Sequence, residues 1–373
     1  MTLRISEISF TDFRNYEHFE LDGIGALTVL VGPNAVGKTN IIEGVQLMTA
    51  LASFRHPTID QVIRQGASAA RTSSRITDGS RLLDVTMTLK EHKRTYTLNG
   101  KPKRPADLKG LVPSVAFTPD DLELVKGSMS VRRAAIDALG SQLSANHYLI
   151  KRDYEKVVRY KNRLLKEDAP ATLIDSINET LITCGAQLSC YRAALFAKLA
   201  PEIAQRYADI AQGERLCARY LPSWTPDVSR ETLDTATFSR DEARDALARA
   251  LEERRGEELA RKRAVVGPHA DAVDFFIEGR NAALYGSQGQ QRSVVLAYKL
   301  AETAVVESVL DQKPVLLLDD VMSELDEHRR GALVEFISGD VQTFITTANL
   351  AYFEQPLLSQ AMVVELGKGG ERR

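Results

Sequence analysis

The chain has 373 residues, of which 44% are hydrophobic and 26% charged, and its formal net charge is −2. Those values fit a soluble globular protein of about two or three domains, or one split domain carrying an insertion. They exclude a uniformly basic nucleic-acid binder, so any such partner must be met by a local basic patch.

Three cysteines, Cys184, Cys190 and Cys217, form no C-x-x-C pair and point to neither a disulfide framework nor a zinc site. The first ten residues alternate apolar and polar, which predicts a strand and lacks the apolar core of a signal peptide. No stretch approaches the ~20 apolar residues of a membrane span. The expected location is cytoplasmic, with no membrane partner.

In chain order, residues 1–120 read as strands and turns with one helix. Leu27–Val31 is a short strand of the buried type, and Gly32 opens a turn directly after it. Residues 40–51 continue as a helix with Ile41, Val45 and Met48 on one face. Leu83, Val85, Met87 and Leu89 alternate up to a charged turn at residues 91–94, followed by Tyr96 and Leu98, which predicts a hairpin over 82–98. From Leu122 to Ala264 the spacing becomes helical. Ile150, Tyr154, Val157 and Leu164 keep it, as do Leu173, Ile177, Leu181, Leu188, Leu195 and Leu199. Ser239 with Glu242 three residues on predicts another helix start, and residues Pro222–Pro226 read as irregular. Strand character returns after Gly267-Pro268. Strands are predicted at 273–277 and 282–285, flanking a turn at 278–281, then a helix from about Gln291 and strands at 315–319, 343–347 and 362–366. The expected organisation is therefore 1–121, a helical insertion over 122–264, and a return to the first domain over 265–373. No repeat or low-complexity tract interrupts it.

Four motifs carry chemistry. Gly32-Pro33-Asn34-Ala35-Val36-Gly37-Lys38-Thr39 fits G-x-x-x-x-G-K-[ST] in full, between a strand and a helix that continues through Asn40. Glycines there let backbone N–H groups turn inward around phosphates, and the helix N-terminus adds partial positive charge. Lys38 is expected on the β- and γ-phosphates of ATP, and Thr39 on Mg²⁺. The second motif is Val315-Leu-Leu-Leu-Asp319-Asp320, an apolar strand ending in acid. Asp319 is expected to help hold Mg²⁺, and Asp320 to orient the attacking water. The third and fourth are Ser287-Gln-Gly289-Gln290-Gln-Arg292 and Ser323-Glu-Leu-Asp326. Either alone is weak, but all four in this order are specific.

These motifs resemble the ABC-ATPase heads of the SMC-like group, and within it the RecF recombination-repair family. Phe13-Arg14-Asn15-Tyr16, Phe54-Arg55, Thr118-Pro-Asp-Asp-Leu122 and Gly267-Pro268-His269 also match that family, so the resemblance runs over nearly the whole chain. It implies an α/β fold: an ABC-ATPase head, a split P-loop domain with a mixed β-sheet, carrying a large helical insertion, lobe II. It implies that Arg14 and Asn15 belong with the nucleotide-binding residues. It also implies that Ser287, Gly289 and Gln290 cap the γ-phosphate held by a second copy, and that Asp326 lies at the dimer interface. The implied function is ATP-driven dimerisation on single-stranded, gapped or junction DNA in repair and fork maintenance. Recombinase loading with the RecO and RecR proteins and SOS induction come with it.

Three departures bear on rate. Aspartate stands at 320 where most ABC ATPases carry glutamate, Thr347-Ala348-Asn349 stands where many relatives have a histidine, and residues 117–121 supply no Q-loop glutamine. These predict a weak, DNA-stimulated ATPase that acts as a switch. A transporter motor fits the insertion and the absent histidine poorly, and an ABC-headed nuclease needs a domain after Asp319 that is not seen. On the predicted helix around 150–166, Arg152, Lys156, Arg159, Arg163 and Lys166 recur at spacings of four, three, four and three and share one face. A solvated face and a contact with the DNA backbone both account for them.

Overall fold

The alternating apolar residues at the start of the chain fold as β1 (Arg4–Phe13), which turns back through Arg14 and Asn15 into β2 (Tyr16–Leu21). The computed structural model describes residues 2–211, 213–225 and 237–367, so the expected irregular stretch is described only as far as Thr225. The further strands are β3 (Leu27–Val31), β4 (Ala69–Thr77), β5 (Leu82–Lys90), β6 (Lys93–Leu98), β7 (Lys101–Lys103) and β8 (Ser114–Phe117). After them come β9 (Leu216–Leu221), β10 (Ala272–Ile277), β11 (Arg280–Asn281), β12 (Val315–Asp319), β13 (Thr343–Thr347) and β14 (Met362–Glu365). The longer helices are α1 (Lys38–Thr49), α2 (Met129–Leu143), α3 (Ala145–Lys166) and α4 (Ala171–Ala211), then α5 (Arg240–Glu253), α6 (Arg255–Arg261), α7 (Gln288–Leu310) and α8 (Glu327–Ile337).

Contacts divide the chain into two compact units, 1–121 with 302–373, and 122–301. In the first, the expected β-structure forms two sheets. One is antiparallel in the order β2-β1-β4-β5-β6-β7, and the other is parallel in the order β14-β3-β13-β12-β8. The central strands of the parallel sheet, β3, β13 and β12, are buried almost throughout, as expected where both faces are covered. Helix α1 packs into the same core as β1, β5, β12 and β13. Gly44 permits this approach, because a Cβ there would lie 2.4 Å from the Phe10 ring. The buried Gln342 ties the two sheets together. Its Oε1 accepts from the Ile5 amide at 2.8 Å, and its Nε2 donates to the Ile5 carbonyl at 2.7 Å and the Gly25 carbonyl at 3.0 Å.

The second unit holds the helical residues together with β9–β11. Its core includes Tyr154, Leu181 and Leu188, from the faces that the spacing marks, together with Leu247, Leu251 and Val266. Residues 265–301 group with this unit and not with the P-loop unit, which differs from the return expected at 265. The cause is long-range pairing: β10 runs antiparallel to β9 from Ala272↔Leu221 to Ile277↔Leu216. A buried polar network reinforces it. Arg192 grips Asp137 through Nε at 2.9 Å and Nη2 at 2.7 Å and donates to the Pro268 carbonyl at 2.6 Å. Asp271 accepts from the Tyr220 hydroxyl at 2.5 Å and the Ser223 amide at 2.9 Å.

Two local expectations change. The hairpin turn is confined to Glu91 and His92, both at positive φ (51° and 58°), and β6 already starts at Lys93. Residues 282–285 form a helical turn, not a strand. Asn281 Oδ1 caps it by accepting from the Ala283 amide at 2.9 Å, and Gln291 Nε2 donates to the Ala282 carbonyl at 3.0 Å.

His269 gives the second unit an acid limit. Its Nε2 donates to the Ala264 carbonyl at 3.1 Å, and in the neutral ring Nδ1 accepts from the Tyr154 hydroxyl at 2.7 Å. Burial pushes its pKa down to about 4, against a backbone hydrogen bond that raises it. Below pH 6.5 the unfolded chain therefore takes up a proton that the folded ring refuses. Stability present above pH 6.5 declines as the pH falls and is lost by about pH 4, a change on the order of 3 kcal/mol. We predict a shallower acid decline in His269→Gln, measured by urea unfolding between pH 7 and pH 4. Equal declines in the two proteins would remove His269 from the account.

Candidate functional site

The turn from β3 to α1 is shaped by three backbone requirements. Gly32 passes beneath the chain at Leu366, where a Cβ would sit 2.6 Å from a carbonyl oxygen. Ala35 and Gly37 hold φ of 67° and 110°, the left-handed region that favours glycine. A Cβ on Gly37 would also lie 2.6 Å from Asn15 Nδ2 and from the Tyr16 hydroxyl, so the turn rests on the β1–β2 connection. Asn15 Nδ2 donates to the Val36 carbonyl at 3.2 Å, and Asn40 Nδ2 donates to Asn15 Oδ1 at 2.6 Å. No side chain caps the first turn of α1 and no acid stands in it. Its N–H groups and the positive end of its dipole are therefore available to an anion.

Lys38 is 7% exposed, and its Nζ donates to the carbonyls of Gly32 at 2.7 Å and Pro33 at 2.9 Å. Burial lowers its pKa, while Asp320 and Asp319 act in the opposite sense. Asp319, at the end of β12, is 5% exposed and accepts from the hydroxyls of Thr39 at 2.9 Å and Thr346 at 2.8 Å. Burial raises its pKa, and the two hydroxyls and Arg55 restrain that rise. Thr346 also accepts from the Asp320 amide at 2.9 Å. Asp320 holds φ of 53°, a conformation tolerated better by aspartate and asparagine than by most residues.

A cavity of about 270 Å³ opens over this arrangement, lined by Asn34, Ala35, Gly37, Lys38, Thr39, Asn40, Arg55, Asp320 and Thr346. Gly32 and Pro33 contribute carbonyls to Lys38, Val36 is buried, and Asp319 lies behind Thr39. The arrangement suits a polyphosphate, since the helix-start amides, a lysine and a carboxylate line one cavity. The paired oxygens of Thr39 and Asp319 suit a small hard cation that keeps phosphate and water as its other ligands. Among the described residues no group of three or more His, Cys, Asp or Glu forms an independent metal site.

Arg14 does not line the cavity. Its guanidinium grips the fully buried Glu43 through Nε at 2.8 Å and Nη2 at 2.7 Å, and donates to the Gln61 carbonyl at 2.6 Å. The arginine that lines the cavity is Arg55, whose Nη1 donates to Asn40 Oδ1 at 2.7 Å. Sequence reasoning noted the pair Phe54-Arg55 without giving it a role. Thr346 was missed altogether, since a threonine within a buried strand carries no local signal.

The remaining motif residues sit at helix starts. Ser287 precedes α7 and is exposed; its Oγ accepts from the Gln290 amide at 3.2 Å, and its own amide donates to Gln290 Oε1 at 2.8 Å. Gly289 lies in the first turn of that helix. Asp326 caps α8 by accepting from the Arg329 amide at 3.0 Å. On α3, Arg152, Lys156, Arg159, Arg163 and Lys166 are all exposed. Arg152 and Lys156 share Asp153, at 3.0 and 3.6 Å, and Arg163 lies over the Tyr160 ring at 5.0 Å. Among the described residues Arg159 and Lys166 make no ion pair.

The profile of the RecF/RecN/SMC N terminal domain matches residues 4–368. A protein of Moorella thermoacetica described as DNA replication and repair protein RecF is 31% identical over 378 residues, covering 100% of this chain and 97% of its own length. One of the same description from Rippkaea orientalis is 35% identical, covering 98% of each chain. Among solved structures, the recombination mediator protein RecF with ATP in the RecFOR pathway has a TM-score of 0.88 at 25% identity, covering 100% of this chain and 97% of the other. The Smc head domain of Pyrococcus furiosus, bound to the C-terminal domain of ScpA, has a TM-score of 0.54 at 13% identity over 100% and 95% of the two chains. That likeness is one of fold alone.

Because the Thr346 hydroxyl both donates to Asp319 and accepts from the Asp320 amide, its removal leaves two polar groups short of a partner. Thr346→Val keeps the side chain's shape, so we predict a loss of about 1–3 kcal/mol by chemical unfolding, and close to wild-type stability for Thr346→Ser. Equal stability of the valine and serine variants would show that the hydroxyl does not organise the acidic strand end.

Proposed function

The chain belongs to the RecF family of SMC-like ABC ATPases, and from that premise we propose that it is an ATP-dependent DNA-binding protein of replication and recombinational repair. The observation that carries this reading is the cavity over residues 34–40, lined by both Lys38 and Asp320. ATP binds there with its phosphates on the amides of the Gly32–Thr39 turn, and Lys38 exchanges its two carbonyl partners for the terminal phosphates. Thr39 and Asp319 hold Mg²⁺, which neutralises phosphate charge when bound. Asp320 orients the attacking water. Residues 1–121 and the C-terminal part of the chain act as the split ATPase head, and the helical insertion that starts at Leu122 acts as lobe II.

The exposed Ser287, with Gly289 and Gln290 behind it, supports a role in trans. Two copies close around two nucleotides, each presenting this helix start to the γ-phosphate of the other, with Asp326 at the interface. Hydrolysis is slow. In phosphoryl transfer the protein chiefly positions groups and stabilises charge, and the carboxylate of Asp320 is one methylene shorter than glutamate. A displacement of about 1 Å costs on the order of 10²-fold in rate. A long-lived closed dimer suits a protein that marks a gapped or single-stranded site, with DNA stimulating its release. The RecO and RecR proteins are the proposed partners in recombinase loading, since a related RecF structure belongs to the RecFOR pathway.

Asp320→Asn keeps the left-handed backbone and removes the carboxylate. We predict unchanged ATP affinity and a trapped ATP-bound dimer, read by turnover and light scattering. Hydrolysis at the wild-type rate would take Asp320 out of water placement. On α3, replacing Arg152, Arg159 and Arg163 together by glutamine removes about three phosphate contacts. The plot of log affinity against log salt should flatten by about 2 for single-stranded DNA, with similar weakening for all sequences. An unchanged slope would return these residues to a solvated surface.

A further inference from the structure

Glu43 places its carboxylate where none of its surface reaches water, and the sequence motifs do not account for it. Its partners are unequal. Arg14 makes two charge-assisted bonds in a parallel fork, at 2.8 and 2.7 Å, and is itself 17% exposed. The Ser53 hydroxyl donates to the same carboxylate at 2.6 Å. Arg55 approaches it only to 3.5 Å, is 37% exposed, and among the described residues makes its one side-chain hydrogen bond to Asn40 at the cavity.

A forked, buried arginine–carboxylate pair is strong and geometrically specific, whereas a single longer contact from a partly exposed arginine is weak. Arg55 can therefore leave Glu43 at little cost, because Arg14 keeps the buried charge compensated. Were Arg14 absent, Arg55 would be the sole counter-ion of a buried carboxylate and could not leave without stranding it.

We propose that Glu43 is a positioning residue that parks Arg55 at the rim of the cavity and yields it to bound phosphates, and that Arg14 is the resident counter-ion that makes this transfer possible. Arg14 then acts on the nucleotide without touching it. The chain of contacts is continuous: Arg14, Glu43, Arg55, then Asn40, whose amide holds Asn15 beneath the phosphate turn. The proposal rests on the cavity being the ATP phosphate site.

The test is ATP affinity, measured by titration on folded full-length variants. Arg55→Gln should weaken binding roughly tenfold, the loss of one charge-assisted contact. Arg14→Gln should weaken it comparably although Arg14 does not line the cavity, and the Arg14→Gln/Arg55→Gln pair should cost no more than either alone. Removal of the buried charge should undo the effect, so Arg14→Gln/Glu43→Gln should return to near wild-type affinity. Should Arg14→Gln not fold, Arg14→Lys keeps the charge, loses the fork, and should show a smaller loss with the same rescue. A loss in Arg14→Gln that Glu43→Gln does not rescue would make Arg14 a ligand or a purely structural residue. Unchanged affinity in Arg14→Gln or in Arg55→Gln would also overturn the proposal. Lys38→Ala, measured alongside, separates the premise from the proposal: wild-type ATP affinity there would remove the phosphate site itself.

Discussion

A buried carboxylate, Asp319, accepts one hydroxyl from the first turn of α1 and one from the end of β13, and the phosphate face depends on that convergence. Three stretches far apart in the chain meet there because β3, β13 and β12 are adjacent and parallel, so that all three end on the same side of the sheet. In open α/β sheets this carboxyl edge is where ligands bind. The same hydroxyl of Thr346 that steadies Asp319 also fixes the Asp320 amide, which places the second acid at the cavity in a left-handed conformation. The Asp319 carboxylate and the Asp320 amide thus share one support in the Thr346 hydroxyl. Loss of that support would disturb both acids together.

What could be read from the residues alone was what the chain states locally. The phosphate turn declares itself through Gly32, Gly37, Lys38 and Thr39, and the acidic strand through an apolar run ending in Asp319 and Asp320. Helical spacing marked Tyr154, Leu181 and Leu188, and all three are core residues. Long-range pairing was not legible. The grouping of residues 265–301 with the helical unit follows from β9 meeting β10 across some fifty residues of sequence. Arg14 and Arg55 could not be told apart for the same reason: both stand in short arginine-containing motifs, and only the position of Glu43 between them separates a counter-ion from a residue at the cavity. Residues 282–285 alternate no better as a strand than as a turn, and side-chain caps from Asn281 and Gln291 decide the outcome.

The second unit spends its buried polar groups differently from the first. Asp137, Arg192, Asp271, Tyr220 and Ser223 join two helices, a strand and the segment around Pro268 into one satisfied network. Gly267 is held at φ of 131° within it, against the Tyr154 hydroxyl. The family motif Gly267-Pro268-His269 is therefore a clasp of the helical unit, and its position in the network explains the motif without a ligand. Helix α3 turns Tyr154 and Val158 into the core of this unit and the five cations outward.

The central claim is that Ser287 of one copy completes the nucleotide site of another. Mixing two defective variants tests it most directly. Lys38→Ala retains an intact Ser287 and lacks the phosphate lysine; Ser287→Arg retains the cavity and presents a bulky cation where the γ-phosphate must dock. Light scattering with ATP should show each variant alone as a monomer and the mixture as a dimer, through the one composite site that both halves can still form. A mixture no heavier than its separate components, or a Ser287→Arg protein that dimerises as the wild type does, would contradict it.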